Sequence, residues 1–108
     1  MDKKRTFNEV TSELEDLYIR KNTDYGDSFN DSMDMFGMPS VAIRLYDKTK
    51  RIITLSSNDR LVNDESIRDT LIDMANYSIM AVMWLDEANR KKEERDISCE
   101  SDYLIDEY

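Results

Sequence analysis

Apolar residues recur at helical spacing along three stretches of this chain, separated by two polar ones. In the first stretch, Phe7, Val10, Leu14, Leu17 and Tyr18 form one stripe, which predicts a helix over about Phe7 to Lys21. Thr6 and Glu9 read as a capping box at its start. The second stretch runs from Pro39-Ser40, with Pro suited to a first helical turn, to about Leu55. Val41, Leu45 and Ile52 centre its apolar face, Tyr46 and Ile53 lie to one side, and Arg44, Asp47, Lys48 and Arg51 lie opposite. The third and longest runs from about Glu65 to Arg95, with Ile67, Leu71, Met74, Ala75, Ser78, Ala81, Val82 and Leu85 as its expected core face. Asn63 or Asp64 is placed to cap it, after a polar turn over Ser56 to Asn63.

Between the first two helices, Asn22 to Met38 holds both glycines, many Asp, Ser and Asn residues, and the aromatics Tyr25, Phe29 and Phe36. It reads as a loop, of a length that is uncommon unless functional. After Arg95, Asp96 to Tyr108 carries five acids and no base, and reads as an acidic tail behind a single domain over residues 1–95. The expected fold is all-α, a small bundle of three main helices. Residues Met80, Met83 and Trp84 make the second half of the long helix apolar nearly all round, which calls for cover on several sides. A homodimer or higher homo-oligomer is therefore expected.

The charged positions add candidate chemistry. Glu65, Asp69 and Asp73 are four residues apart, so on a helix they share an arc of ~80°, and Asn76 falls inside it. Like charges at that spacing repel. The row either faces water opposite the core or supplies hard oxygen ligands to Mg²⁺. Arg44, Lys48 and Arg51 either solvate a surface helix, with Asp47 in local ion pairs, or grip phosphate while Asp47 adds a metal ligand. Lys21, Asp24, Tyr25, Gly26, Ser28 and Phe29 read either as a helix end and turn or as a substrate loop, with an aromatic for a base and Lys21 for phosphate.

Composition then removes whole classes. The 108 residues carry a net charge of −9, no His and a single Cys. A basic surface for polymeric nucleic acid is absent from that balance. Triads that need His and zinc sites built on His or paired Cys are excluded. No apolar run approaches the roughly 18 residues of a membrane span, and Met-Asp-Lys-Lys-Arg leads into no signal core, so a cytoplasmic location is expected.

Three blocks together carry a resemblance: K-N-T-D-Y-G-D-S-F at 21–29, R-L-Y-D-K-T-K-R at 44–51 and D-E-S-I-R-D-T-L-I-D-M-A-N-Y at 64–77. In order and spacing they resemble the nucleotide modification associated domain 1 family, small proteins common in bacteriophages and prophages. That family is in turn similar to the all-α NTP pyrophosphohydrolases, the MazG and dimeric dUTPase group. These are helical oligomers that bind Mg²⁺ through carboxylates on two adjacent helices and release a nucleoside monophosphate and pyrophosphate. The resemblance implies Glu65 and Asp69 as catalytic carboxylates, with Asp47, Glu65, Asp69 and Asp73 holding Mg²⁺. It further implies Lys21, Asp24, Tyr25, Ser28, Phe29, Arg44, Lys48, Arg51 and Asn76 on a dNTP or modified nucleotide. Two departures bear on turnover: the group's upstream E-x-x-E is missing here, and its downstream E-x-x-D appears as E-x-x-x-D-x-x-x-D. A nucleotide ligand is thus implied before a reaction is, and a non-catalytic protein that sequesters a nucleotide signal is the alternative. An acidic DNA mimic ranks below both, since it leaves the basic side of the second helix unexplained.

Overall fold

The computed structural model describes residues 1–25, 27–57 and 65–102, the side chains at 24–25 and 98–102 excepted. Those residues form four helices and no strand: α1 (Lys3–Tyr25), α2 (Ser28–Phe36), α3 (Met38–Ser56) and α4 (Glu65–Asp102). The all-α expectation holds, with one helix more than periodicity predicted. None of the helices described is long and apolar enough to cross a membrane.

The additional helix is α2, within the stretch that reads as a loop. Phe29, Met33 and Phe36 are spaced i, i+4, i+7, but over nine residues, too few for periodicity to outweigh so many turn-forming neighbours. Packing supplies what length does not: Phe29 is 6% exposed and Met33 is fully buried, and with Val41 and Ala81 they form the core cluster. Gly37 ends α2 at φ +72°, a conformation that L side chains rarely adopt. Its N–H donates to the Met33 carbonyl at 2.8 Å, and its own carbonyl accepts from the Ser40 N–H at 3.0 Å. One residue therefore closes α2 and opens α3, with Pro39 in the first turn.

Helix α1 starts four residues earlier than the Thr6 box implies. The Arg5 N–H donates to Asp2 Oδ1 at 3.2 Å, and Thr6 Oγ1 donates to the Asp2 carbonyl at 2.9 Å. Asp2 is thus the cap and Thr6 lies inside the first turn. At the other end of the chain α4 continues through Asp102, so the first part of the segment read as a tail is helical. The capping roles expected of Asn63 and Asp64, and the tail beyond Asp102, lie outside the described residues.

The largest correction concerns which side of α4 faces inward. Leu71 and Val82, expected in the core, are 52% and 55% exposed, and Ser78 and Leu85 are exposed too. Ala81 of the expected face is buried, but the inner side otherwise carries Thr70, Asp73, Asn76, Tyr77, Met80 and Trp84. It packs chiefly against α3, with α2 wedged above the pair. The physical reason is partner supply. Thr70 accepts from Arg51 Nε at 3.2 Å and donates to the Ser66 carbonyl, while Trp84 Nε1 donates to Asp34 Oδ1 at 2.9 Å. Polar groups on that side are satisfied by other helices, so burying them carries little penalty. On α3, Val41 is buried and Leu45 packs beside it, whereas Tyr46 and Ile53 are more than 60% exposed. On α1, Leu14 is buried, but Phe7 and Val10 are exposed.

Candidate functional site

The inward turn of α4 brings cationic side chains from two other helices onto one carboxylate. Asp73 Oδ1 accepts from Lys21 Nζ of α1 at 3.0 Å, and Asp73 Oδ2 accepts from Lys48 Nζ of α3 at 3.4 Å. One turn along α3 in either direction, Arg51 reaches Thr70 and Arg44 reaches Ser32 of α2, its Nη2 donating to Oγ at 3.2 Å. The guanidinium of Arg44 lies 5.4 Å from the Phe29 ring centre and 5.5 Å from that of Tyr77. The two rings are stacked, with centres 6.0 Å apart and planes 19° from parallel. Ring faces attract the cation and hold its fork in one orientation.

Beside this assembly lies a cavity of about 150 Å³. Tyr18 and Asn22 of α1, Phe29 of α2, and Asn76, Tyr77 and Met80 of α4 form its walls. Lys21, Ser28, Arg44 and Asp73 also line it. Arg44 and Tyr77 are shared with an open shelf that continues over Asp47, Lys48 and Arg51. Cavity and shelf together present four cations against the two carboxylates Asp73 and Asp47, a local positive excess in a chain whose net charge is −9.

Of the residues singled out from sequence, Lys21, Ser28, Phe29, Arg44, Lys48, Arg51, Asp73 and Asn76 converge here. Phe29 contributes from the core side, buried and stacked on Tyr77. The side chains of Asp24 and Tyr25 lie outside the described residues. Asp47 borders only the shelf, and Glu65 and Asp69 are exposed and line neither space. Among the described residues no three carboxylates gather in a group able to hold a metal ion. Asp73 already has two ammonium partners. A Mg²⁺ held by Asp47, Glu65, Asp69 and Asp73 together therefore does not fit a single chain of this structure. The site residues that sequence reasoning passed over are Tyr18, Asn22, Tyr77 and Met80. Tyr18 matched the apolar stripe of α1 and Met80 that of α4, whereas Asn22, directly after Lys21 in the first block, and Tyr77, directly after Asn76 in the third, carried a signal.

Besides the Lys21–Asp73 pair, two contacts hold α1 on α4 and so set the width of the cavity. Asn76 Nδ2 donates to the Leu14 carbonyl at 3.2 Å, and Arg68 grips both oxygens of Glu13 at 2.7 Å. The Arg68 hydrogen bonds hold the Glu13 carboxyl below its ordinary value of 4.5. A lowered folded pKa contributes stability at pH values above 4.5, and that contribution disappears as pH falls through the lowered value. In an acid titration of the thermal midpoint, Arg68→Gln is expected to give a shallower loss below pH 4.5 than the parent chain. Because the pair is solvated, the difference should shrink in high salt.

A family model described as Nucleotide modification associated domain 1 matches residues 21–85, a span that holds every residue of the cavity and shelf except Tyr18. The match covers more than half of the chain, and the chain belongs to that family. Comparison with curated proteins and with solved structures returns no match.

Proposed function

We propose that this member of the nucleotide modification associated domain 1 family is a nucleotide-binding protein, with the base in the cavity and the phosphates across the shelf. The observation that carries this reading is the meeting of Lys21, Lys48, Arg51 and Arg44 beside an aromatic-walled cavity, in a chain otherwise strongly acidic. Tyr18 and Tyr77 offer half-buried ring faces to a base. Lys21 and Lys48, compact and mobile point charges, exchange Asp73 for phosphate oxygens. Arg44, held by the Phe29 and Tyr77 rings, supplies a guanidinium that is already oriented, so less freedom is lost on binding.

Binding without turnover is the reading placed first, because Glu65 and Asp69 line neither cavity nor shelf and Asp73 is paired with Lys21 and Lys48. Such a protein acts by holding a nucleotide or nucleotide-derived signal away from its other users. The second reading is Mg²⁺-dependent cleavage of a nucleoside triphosphate to monophosphate and pyrophosphate. It is supported by Asp73 and Asp47 bordering the proposed phosphate path. The deciding experiment incubates the protein with NTPs, dNTPs and cyclic nucleotides, with and without Mg²⁺, and reads bound ligand and products by mass spectrometry. Intact nucleotide recovered after denaturation is the expected result. Mg²⁺-dependent release of monophosphate and pyrophosphate would replace it with the second reading.

A homodimer is part of the same proposal. Leu71, Ala75, Ser78, Val82 and Leu85 follow one another at alternating four- and three-residue steps and share an arc of ~80° on α4. Most of that stripe is exposed, as are Phe7 and Val10 of α1. The radius of gyration is 19.1 Å, against about 13 Å for a compact domain of this length. A second copy laid along α4 would cover the stripe without touching the shelf. Light scattering is expected to give twice the chain mass, and Val82→Glu to return it to the single-chain value with nucleotide binding retained.

A further inference from the structure

Asn76 is only 8% exposed, yet it lines the cavity. Its Nδ2 donates to the Leu14 carbonyl. That bond settles the amide's orientation, because a carbonyl only accepts: Nδ2 is turned to α1 and Oδ1 away from it. Among the described residues, Oδ1 accepts no hydrogen bond. An acceptor that the protein leaves without a donor on the wall of a cavity is open to a donor that enters it, water or ligand.

The cavity's size narrows that use. At about 150 Å³ it matches a known apolar cavity that takes up benzene, so it has room for one six-membered ring. Its walls are flat or soft: Tyr18, Tyr77 and Met80 can lie against ring faces. The cations, by contrast, gather along one side, toward Lys48 and Arg51.

We infer that the cavity is a pyrimidine pocket, and that Asn76 Oδ1 selects the base by accepting its ring or exocyclic N–H. This rests on the nucleotide reading above and adds the base class and the residue that reads it. Asn76 thereby acts twice, joining α1 to α4 through its nitrogen and reading the ligand through its oxygen. A site built to pair with an N–H rejects an analogue lacking it, because the acceptor is then buried unpaired.

The test is calorimetric titration with dCTP, dUTP, dATP and dGTP, and with the deoxynucleoside triphosphate of 2-pyrimidinone, a pyrimidine ring with no N–H. The expected result is at least one natural pyrimidine nucleotide binding about ten-fold or more tighter than the 2-pyrimidinone compound and than both purines. In Asn76→Ala the preference over 2-pyrimidinone should fall to near unity, and any loosening of α1 should lower affinity for all the ligands together. If that variant fails to fold, the comparison of ligands on the parent protein decides alone. Equal binding of 2-pyrimidinone, or of purines, overturns the pocket assignment while nucleotide binding stands. No binding by any nucleotide overturns both.

Discussion

Replacing Met33 with alanine is expected to cost ~2–5 kcal/mol of folding stability. Met33 is the one fully buried large side chain among the described residues, and it touches the centre of a small cluster with Phe29, Val41 and Ala81. Removing its thioether leaves a void that α2 can fill only by sinking toward α3. The nine residues of α2 cannot hold a helix in water by themselves, so its conformation depends on that contact. Domains of this size are stable by roughly 5–15 kcal/mol, which makes the loss a large fraction of the total. Because Phe29 stacks on Tyr77 at the cavity wall, the same change loosens the site. Urea unfolding should show a lower midpoint with little change in slope. Met33→Leu, which nearly conserves volume, should lose less than about 1.5 kcal/mol. An alanine variant as stable as the parent would mean that α2 does not depend on its buried face.

The second large effect is on binding. Lys21→Ala combined with Lys48→Ala is expected to weaken nucleotide affinity by about 10²-fold or more, since each removes a charge-assisted bond of roughly 1.5–3 kcal/mol. The double change also leaves Asp73, with a 23% exposed side chain, as an uncompensated negative charge where phosphate must approach. Asp73→Asn moves in the opposite direction. It removes the carboxylate that competes for both lysines, so polyphosphate affinity should rise while the lysines stay in place. Calorimetric titration of the parent, the double variant and Asp73→Asn against one nucleotide separates these cases. Under the hydrolytic reading Asp73→Asn loses turnover instead, so the same variant also distinguishes holding a nucleotide from cleaving it.

Much of the fold was legible because α1, α3 and α4 are long enough for their periodicity to show. Pro39 and Glu65 then mark the starts of α3 and α4 to within a residue. Much of the candidate site was legible for a different reason. Lys21, Arg44, Lys48, Arg51, Asp73 and Asn76 are charged or polar residues that simple amphipathic helices leave without a structural duty, so each stood out as chemistry. Tyr18, Tyr77 and Met80 did not, since an apolar wall of a cavity and an apolar residue of a core look alike in sequence. Helix α2 was hidden by its composition. Its Asp, Ser and Asn residues favour turns locally, and two buried residues, Phe29 and Met33, override them.

What sequence by itself determined was the helical class, the starts of α3 and α4, the excluded chemistries and the family, because these depend on local spacing, composition and the order of three short blocks. What only the tertiary structure decided was which side of α4 faces inward. Its apolar residues encircle the helix, so periodicity has no single answer. The choice fell to partners supplied from elsewhere in the chain: Arg51 for Thr70, Leu14 for Asn76, Asp34 for Trp84, and Lys21 with Lys48 for Asp73. With that side turned inward, Asp73 of the acidic row is held between two lysines while Glu65 and Asp69 stay exposed. The cavity beside it exists only because α1, α2, α3 and α4 meet there.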